Sequence, residues 1–171
     1  MTVESRFVLK DLPSHPPKLR SAKGWLIVEG EVERPISLSI AKLERLPKTG
    51  LTEDFKCLEG WVVKGVVWQG VRLGSVLETA GLKKSAKYVL ICSGDFTTTM
   101  KLGRSLEKNS ILALRKWGKK LSLNDGGPLR LVFEGHQCFE SVKSVDRIVV
   151  TSEPVKGSAK NIAFARIGLK L

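Results

Sequence analysis

The chain has 171 residues, 42% of them hydrophobic, and its 29 Lys and Arg outnumber its 17 Asp and Glu to give a formal net charge of +12. A chain of that length fits one domain that buries roughly two thirds of its unfolded surface, so no disulfide or structural metal is needed to complete a core. The charge favours an anionic partner. Nucleic acid is disfavoured because the basic residues are dispersed and the 6% aromatic content leaves few stacking platforms.

The first half of the chain predicts strands separated by two short helices. Residues 24–32 are rich in strand-forming types, and Arg34-Pro35 ends that strand. The next elements are a short helix capped by Ser37 or Ser39 and stopped by Pro47, a strand over 60–68 with a bend or hairpin at Lys64-Gly65, and a helix over 75–80 with Gly81 as its C-terminal cap.

The second half predicts further strands and one strong turn. Strands are expected over 88–92 and 96–102, joined by Ser93-Gly94-Asp95, whereas the apolar run 111–117 is ambiguous between helix and strand. The Asn124-to-Pro128 stretch is the strongest turn signal, followed by strands over 129–133 and 142–151; residues 155–171 give no clear assignment. The sequence therefore predicts a single α+β domain, mixed and dominated by strands.

The three cysteines do not form a disulfide framework or a zinc pattern. Cys57, Cys92 and Cys138 are odd in number and separated by long gaps, and His136 with Cys138 supplies too few zinc ligands. Cys92 ends an apolar strand and fits a buried, inert thiol. Cys57 stands in a polar stretch after Lys56, whose charge lowers the pKa of a neighbouring thiol, so Cys57 is predicted to be an accessible, reactive thiol.

We also expect a cytoplasmic protein with no membrane span. No apolar run approaches the ~20 residues that cross a bilayer, and residues 1–10 lack the basic region, apolar run and small-residue cleavage site of a secretory leader.

Five segments taken in order resemble the molybdopterin-binding domain of the sulfite oxidase family. They are Cys57-Leu-Glu-Gly-Trp, Trp68-x-Gly-Val-x-Leu, Ser93-Gly-Asp, Gly126-Gly-Pro-Leu-Arg-Leu-Val and Val142-Lys-Ser-Val. The likeness covers about residues 26–154, and the colinear set is more specific than any one segment. It implies one domain over 1–171 with the family's fold, and it leaves 155–171 without a role.

The resemblance also implies a cofactor, molybdenum–molybdopterin, and residues that hold it. By position, Cys57 is the molybdenum ligand and so the catalytic residue, since a soft thiolate suits a metal that cycles between oxidation states. Arg130 and Lys143 are candidates for the cofactor's phosphate and pterin oxygens, with Ser141 beside them. His136 and Phe139 are expected to line the pterin pocket, and Asp95 to stand near the metal. Glu140 stands where many relatives carry a basic residue.

The function implied is an oxidoreductase that transfers an oxygen atom to or from a small oxyanion or sulfoxide-like substrate. A separate redox partner would exchange electrons with it, because the chain has no haem or iron–sulfur motif. Arg72, Lys101 and Arg104 are candidates for binding the substrate. Two alternatives remain open: a binding module that holds or hands over the cofactor without turnover, and an anion- or nucleic-acid-binding domain that has lost the cofactor.

Overall fold

The computed structural model describes residues 7–10, 12 and 24–168. Their strands form two mixed sheets. The first sheet contains β1 Phe7–Leu9, β4 Thr49–Lys56, β5 Trp61–Arg72, β8 Ile111–Lys116, β9 Lys119–Lys120 and β10 Arg130–Val132. The second contains β2 Trp25–Gly30, β3 Ile36–Ser39, β6 Tyr88–Ser93, β7 Phe96–Lys101 and β11 Arg147–Thr151, in the order β3-β2-β11-β6-β7. The helices are α1 Ile40–Glu44, α2 Leu73–Ala80, α3 Leu102–Ser105 and α4 Ala159–Arg166.

The first sheet is buried on both faces. On β8, Leu112 and Leu114 belong to the main core, which also takes in Leu26 and Val28 of the second sheet. Ile111 and Ala113 alternate with them and belong to a second cluster on the opposite face. A strand buried on both faces reads as one apolar run without alternation, which is why residues 111–117 were ambiguous in the sequence.

Several predicted elements are confirmed. The Ser39 side chain accepts a hydrogen bond from the Lys42 backbone nitrogen at 3.1 Å, so Ser39 is the N-cap of α1. Gly81 follows α2 with φ of 73°, a value that favours glycine. β6 and β7 pair antiparallel across Ser93-Gly94-Asp95-Phe96. The mixed, strand-dominated α+β fold is the predicted class.

Other boundaries differ from the predicted ones. Residues 60–68 contain no hairpin: β5 runs through Lys64-Gly65, and the register shift there is a bulge. The Asp54 carboxylate accepts from the Gly65 nitrogen at 3.0 Å and from Lys64 Nζ at 2.9 Å, and these bonds lower the pKa of Asp54. The strand predicted to begin at residue 142 begins at Arg147, because Ser144 before it has φ of 52° and cannot continue a ladder.

The C-terminal segment, which the sequence left unassigned, contains α4 and packs back onto the domain. The Phe164 ring lies 6.1 Å from the ring of Phe139. At the start of the helix, Ser158 Oγ accepts from the Thr97 nitrogen at 2.9 Å, and Thr97 Oγ1 accepts from the Ser158 nitrogen at 3.0 Å. The segment therefore covers β7 and the residues around Phe139. No helix in the described part of the chain is long and apolar enough to span a bilayer.

Gly70 provides a test of the contact between β5 and β8. A Cβ at Gly70 would lie 2.0 Å from the Leu112 carbonyl oxygen and 2.7 Å from the Ala113 Cα. Because both are backbone atoms, they cannot relieve the clash by a change of side-chain rotamer. We expect Gly70→Ala to lower the free energy of unfolding by about 1–3 kcal/mol, the usual cost of overpacking, as measured by denaturant titration. The matched control is Gly103→Ala, whose Cβ meets nothing within 4 Å; it should unfold at the wild-type denaturant concentration or above it. Equal stability of the two variants would contradict this packing.

Candidate functional site

Cys57 lies in a tight turn between β4 and β5. The Cys57 nitrogen donates to the Trp61 carbonyl at 3.0 Å, and the Gly60 nitrogen donates to the Cys57 carbonyl at 3.0 Å. Gly60 has φ of 92°, which favours glycine at this position. Trp61 Nε1 donates to Glu59 Oε2 at 3.0 Å and braces the turn. The turn holds the Cys57 thiol partly buried at the edge of the second apolar cluster.

The side chain of Cys138 reaches the same place. The two thiols form a hydrogen bond with each other, which raises the pKa of Cys57 and lowers that of Cys138. Burial adds to the rise at Cys57. The prediction that Lys56 lowers the pKa of Cys57 is therefore wrong, because the interaction with the Cys138 thiol and burial outweigh an exposed lysine. Both cysteines are free, with no disulfide between them.

A 3₁₀ turn at Cys138–Glu140 presents the Cys138 thiol. The Gln137 backbone nitrogen donates to Glu140 Oε2 at 2.6 Å, and the Gln137 side chain accepts from the Glu140 backbone nitrogen, so the two residues form a capping box. The Glu140 carboxylate therefore has a structural role, because it caps the turn that carries Cys138.

The Glu53 carboxylate fixes this loop to the first sheet. Its Oε1 accepts from Trp68 Nε1 at 2.9 Å and bonds His136 Nε2 at 2.8 Å. The His136 ring also lies 5.2 Å from the ring of Phe55 and 5.5 Å from that of Phe133. The His136 side chain is only 2% exposed, so its observed contacts are with protein, and its place in the pterin pocket stays a prediction.

Arg130 is buried beside the same aromatic rings. Its side chain is 3% exposed, and its guanidinium carbon lies 5.0 Å from the centre of the Phe55 ring and 5.2 Å from that of Trp68. Arg130 Nε donates to Ser141 Oγ at 2.8 Å, and Nη1 donates to the Asp125 carbonyl at 2.9 Å. Two predicted cofactor residues, Arg130 and Ser141, are therefore in direct contact, and both are buried.

Lys143 lies against the turn before Arg130. A Cβ at Gly126 would meet Lys143 Cγ at 2.7 Å and Arg130 Cδ at 3.1 Å, so only glycine allows both cations to pack there. Gly126 also has φ of 94°. Lys143 Nζ donates to the Asn124 carbonyl at 2.8 Å. The structure thus brings Lys143 next to Arg130, and Gly126 acts as a turn residue, as predicted.

Asp95 and Phe139 lie towards α4. The Asp95 carbonyl accepts from Ser158 Oγ, and Phe139 packs on Phe164. Their predicted roles near the metal and in the pterin pocket stay predictions. Glu53 and Cys138 were missed as site residues. Glu53 lies in β4, a strand that was not predicted because its many polar residues obscure the alternation of buried and exposed positions. Cys138 was considered only as a zinc ligand beside His136.

A groove of about 570 Å³ opens beside the 133–140 loop. It contains Lys101 and Arg104, two of the three basic residues proposed for substrate binding, together with Phe133 and Glu140. The Arg104 guanidinium lies 5.0 Å from the centre of the Phe133 ring. Arg72, the third, donates to the Leu106 carbonyl at 3.1 Å and is not among the residues that line the groove.

A curated relative matches this chain in sequence, and a solved structure matches it in fold. The chain is 35% identical over 129 residues to the uncharacterized oxidoreductase YuiH of Bacillus subtilis, a match that covers 75% of this chain and 65% of YuiH. The sulfane dehydrogenase SoxCD of Paracoccus pantotrophus shares the fold with a TM-score of 0.73 at 23% identity, over 81% of this chain and 41% of that one.

A second relative has a named activity. The chain is 26% identical over 167 residues to the catalytic subunit of the protein-methionine-sulfoxide reductase MsrP of Campylobacter jejuni, a match that covers 86% of this chain and 56% of MsrP. The chain therefore spans less than two thirds of the length of either relative. The model of the oxidoreductase molybdopterin binding domain matches residues 14–159, more than half of the chain. The chain therefore belongs to the oxidoreductase molybdopterin-binding domain family, which is the family of sulfite oxidase.

Proposed function

We propose that Cys57 is the protein ligand of molybdenum in a molybdenum–molybdopterin cofactor, and that the chain catalyses oxygen-atom transfer to or from a small substrate. One observation carries the proposal: the Cys57 turn and the distant Arg130–Ser141 pair converge on one aromatic cluster. Phe55 stacks on Trp61 with 6.0 Å between the ring centres. The guanidinium carbon of Arg130 lies 5.0 Å from the centre of the same Phe55 ring.

The donor chemistry of this region fits the cofactor. Cys57 offers a soft sulfur donor of the kind that molybdenum accepts in a thiolate-rich site. The side chains of Arg130 and Lys143 both pack against Gly126, and two basic residues in one place suit the anionic end of a phosphorylated ligand. In this proposal Cys57 holds the metal, and Lys143, Arg130 and Ser141 hold the pterin and its phosphate.

When bound, the cofactor supplies the two-electron chemistry of oxygen-atom transfer, and the chain supplies position and electrostatics. The Cys57 turn fixes the sulfur in place through its bonds to Trp61 and Gly60. The rings of Phe55, Trp61 and Trp68 are buried and keep water away from the inner side of the thiol. Lys101 and Arg104 in the neighbouring groove would attract an anionic or strongly dipolar substrate.

The similarity to MsrP, a protein-methionine-sulfoxide reductase, favours a sulfoxide as the substrate class. A sulfoxide presents a polarised S–O group that a cation can orient without requiring a full negative charge. In this proposal a separate protein delivers the electrons, and the +12 net charge favours an acidic one. A cytoplasmic location stays a prediction.

The metal ligand is tested by replacing Cys57. We expect Cys57→Ser, expressed in a host that makes the cofactor, to retain at least tenfold less molybdenum per chain, because a hydroxyl oxygen is a harder and poorer donor than a thiolate. Molybdenum is measured by elemental mass spectrometry. Cys92→Ala is the matched control, since Cys92 is a buried strand residue, and it should keep the wild-type molybdenum content. Wild-type content in Cys57→Ser would refute the ligand assignment.

Turnover separates the enzyme from a cofactor-binding module. We expect the loaded protein to oxidise a reduced viologen dye when methionine sulfoxide is added, followed by loss of dye absorbance under anaerobic conditions. Cys57→Ser should lower the rate at least a hundredfold, because the reacting metal is lost. Bound molybdenum with no dye oxidation by methionine sulfoxide, dimethyl sulfoxide or trimethylamine oxide, and no dye reduction by sulfite, would favour the binding module.

Glu53 is expected to stabilise the site by holding the 133–140 loop against β5. Glu53→Ala removes the acceptor of two buried donors, at about 1–3 kcal/mol each, so the free energy of unfolding should fall by about 2–6 kcal/mol and molybdenum retention should fall with it. Glu29→Ala is the control, because its ion pair with Arg147 is exposed at 3.4 Å and such pairs contribute about 0–1 kcal/mol. A Glu53→Ala variant as stable as Glu29→Ala would show that the loop is held by other contacts.

A further inference from the structure

We propose that the tip of the β8–β9 hairpin is the docking surface for an acidic electron-carrier protein. This surface, the hairpin patch, consists of Trp117, Gly118, Lys119 and Lys120 together with Val67 of the neighbouring strand β5. The nature of the partner rests on the proposed function, because a redox enzyme needs such a carrier. The docking contact itself needs only the folded chain.

Trp117 has a backbone conformation that tryptophan rarely adopts. Lys116 pairs with Lys119, so Trp117 and Gly118 form a two-residue hairpin loop, and their φ angles are 47° and 77°. Two positive φ angles are what a type I′ turn requires, and its first position usually holds asparagine, aspartate or glycine. A bulky side chain at positive φ is strained, and such strain clusters at functional positions. The turn therefore does not explain the choice of tryptophan.

The Trp117 ring is held in place and presented to solvent. Trp117 is 40% exposed and Val67 is 43% exposed, and the Trp117 backbone nitrogen donates to the Val67 carbonyl at 2.8 Å. Trp117 Nε1 donates to the Gly65 carbonyl at 3.0 Å, which fixes the orientation of the indole. A fixed, exposed tryptophan beside a second apolar side chain is the kind of residue that contributes most to binding in protein interfaces.

The charges around the ring favour an acidic partner. Lys119 and Lys120 are exposed. Lys64, which precedes the glycine that accepts from the indole, is paired with Asp54 at 2.9 Å, so Lys119 and Lys120 supply the excess of positive charge. A second copy of this chain would bring its own net charge of +12 and be repelled, whereas an acidic protein is attracted and steered towards the patch.

A short series of contacts joins the hairpin patch to the proposed cofactor residues. Lys116 Nζ lies 5.4 Å from the centre of the Trp117 ring and bonds Asp125 Oδ1 at 2.8 Å. The Asp125 carbonyl accepts from Arg130 Nη1 at 2.9 Å. This link to the site favours an electron carrier over an anionic membrane surface, which would also attract lysine and tryptophan.

The first test measures binding of two acidic carriers, a bacterial flavodoxin and a plant-type ferredoxin, to the full chain by isothermal titration calorimetry. We expect at least one carrier to bind at low ionic strength, and to bind more weakly as salt is added. Trp117→Asn should weaken this binding about tenfold or more, because the central aromatic contact is lost. The variant should unfold at the wild-type denaturant concentration, because asparagine suits the positive φ of the turn.

The second test reverses the charge of the patch. Lys119→Glu combined with Lys120→Glu should weaken binding about tenfold or more. The matched control is Lys83→Glu combined with Lys84→Glu, which alters two adjacent exposed lysines between α2 and β6. Both double variants change the net charge equally, and the control should keep the wild-type affinity within about twofold. An equal loss in the two double variants, wild-type binding by Trp117→Asn, or binding of neither carrier would overturn the proposal.

The remaining measurements separate this docking surface from other occupants and from the proposed function. Sedimentation with phosphatidylglycerol vesicles that depends on Trp117, or a dimer in analytical ultracentrifugation that Trp117→Asn dissociates, would assign the patch to a membrane or to a second copy and overturn the proposal. With methionine sulfoxide, the patch variants should slow turnover driven by the carrier and leave turnover driven by a reduced viologen dye unchanged. Carrier binding at the patch without any dye-driven turnover would reject the proposed function and leave the docking surface intact.

Discussion

The bond between Glu53 and His136 is the contact on which the arrangement of the site depends. A carboxylate that is 14% exposed on its side chain costs free energy to bury unless its oxygens are satisfied. Here Oε1 accepts from Trp68 Nε1 and also bonds His136 Nε2, and the second of these bonds forms only while the loop is docked. The loop from Phe133 to Glu140 is thereby held against β4 and β5, with Cys138 on the same apolar cluster as Cys57.

The aromatic cluster between the Cys57 turn and the Arg130–Ser141 pair has a second role. Phe55 and Trp68 flank the buried guanidinium of Arg130 at 5.0 and 5.2 Å, a placement in which ring faces stabilise a cation. Ser141 then meets the Arg130 Nε. The strand that follows the Gly126 turn is thus tied to the strand that precedes the Cys57 turn. The proposed molybdenum ligand Cys57 and the buried Arg130 belong to one packed unit, although about 70 residues of chain separate them.

The turns that carry Cys57 and Cys138 meet at the second apolar cluster, on which both cysteines pack. The Glu140 carboxylate belongs to this arrangement, because it caps the turn that presents Cys138. Local structure therefore gives this acidic residue a role.

The sequence by itself determined the family, the α+β class and the short-range features, and it made Cys57 the candidate for the metal ligand. Ser39, Gly81 and Gly126 were readable because caps and turns depend on a few neighbouring residues. The length of β5, the existence of β4 and the late start of β11 were not, because a bulge and a positive φ at Ser144 interrupt periodicity without a distinct composition. Only the tertiary structure decided that Cys138 and Cys57 pack on one cluster, that Glu53 bonds His136 and that Arg130 is buried. These contacts join residues far apart in the chain, and pairings across such separations are set by the packing of whole sheets, which no local pattern encodes.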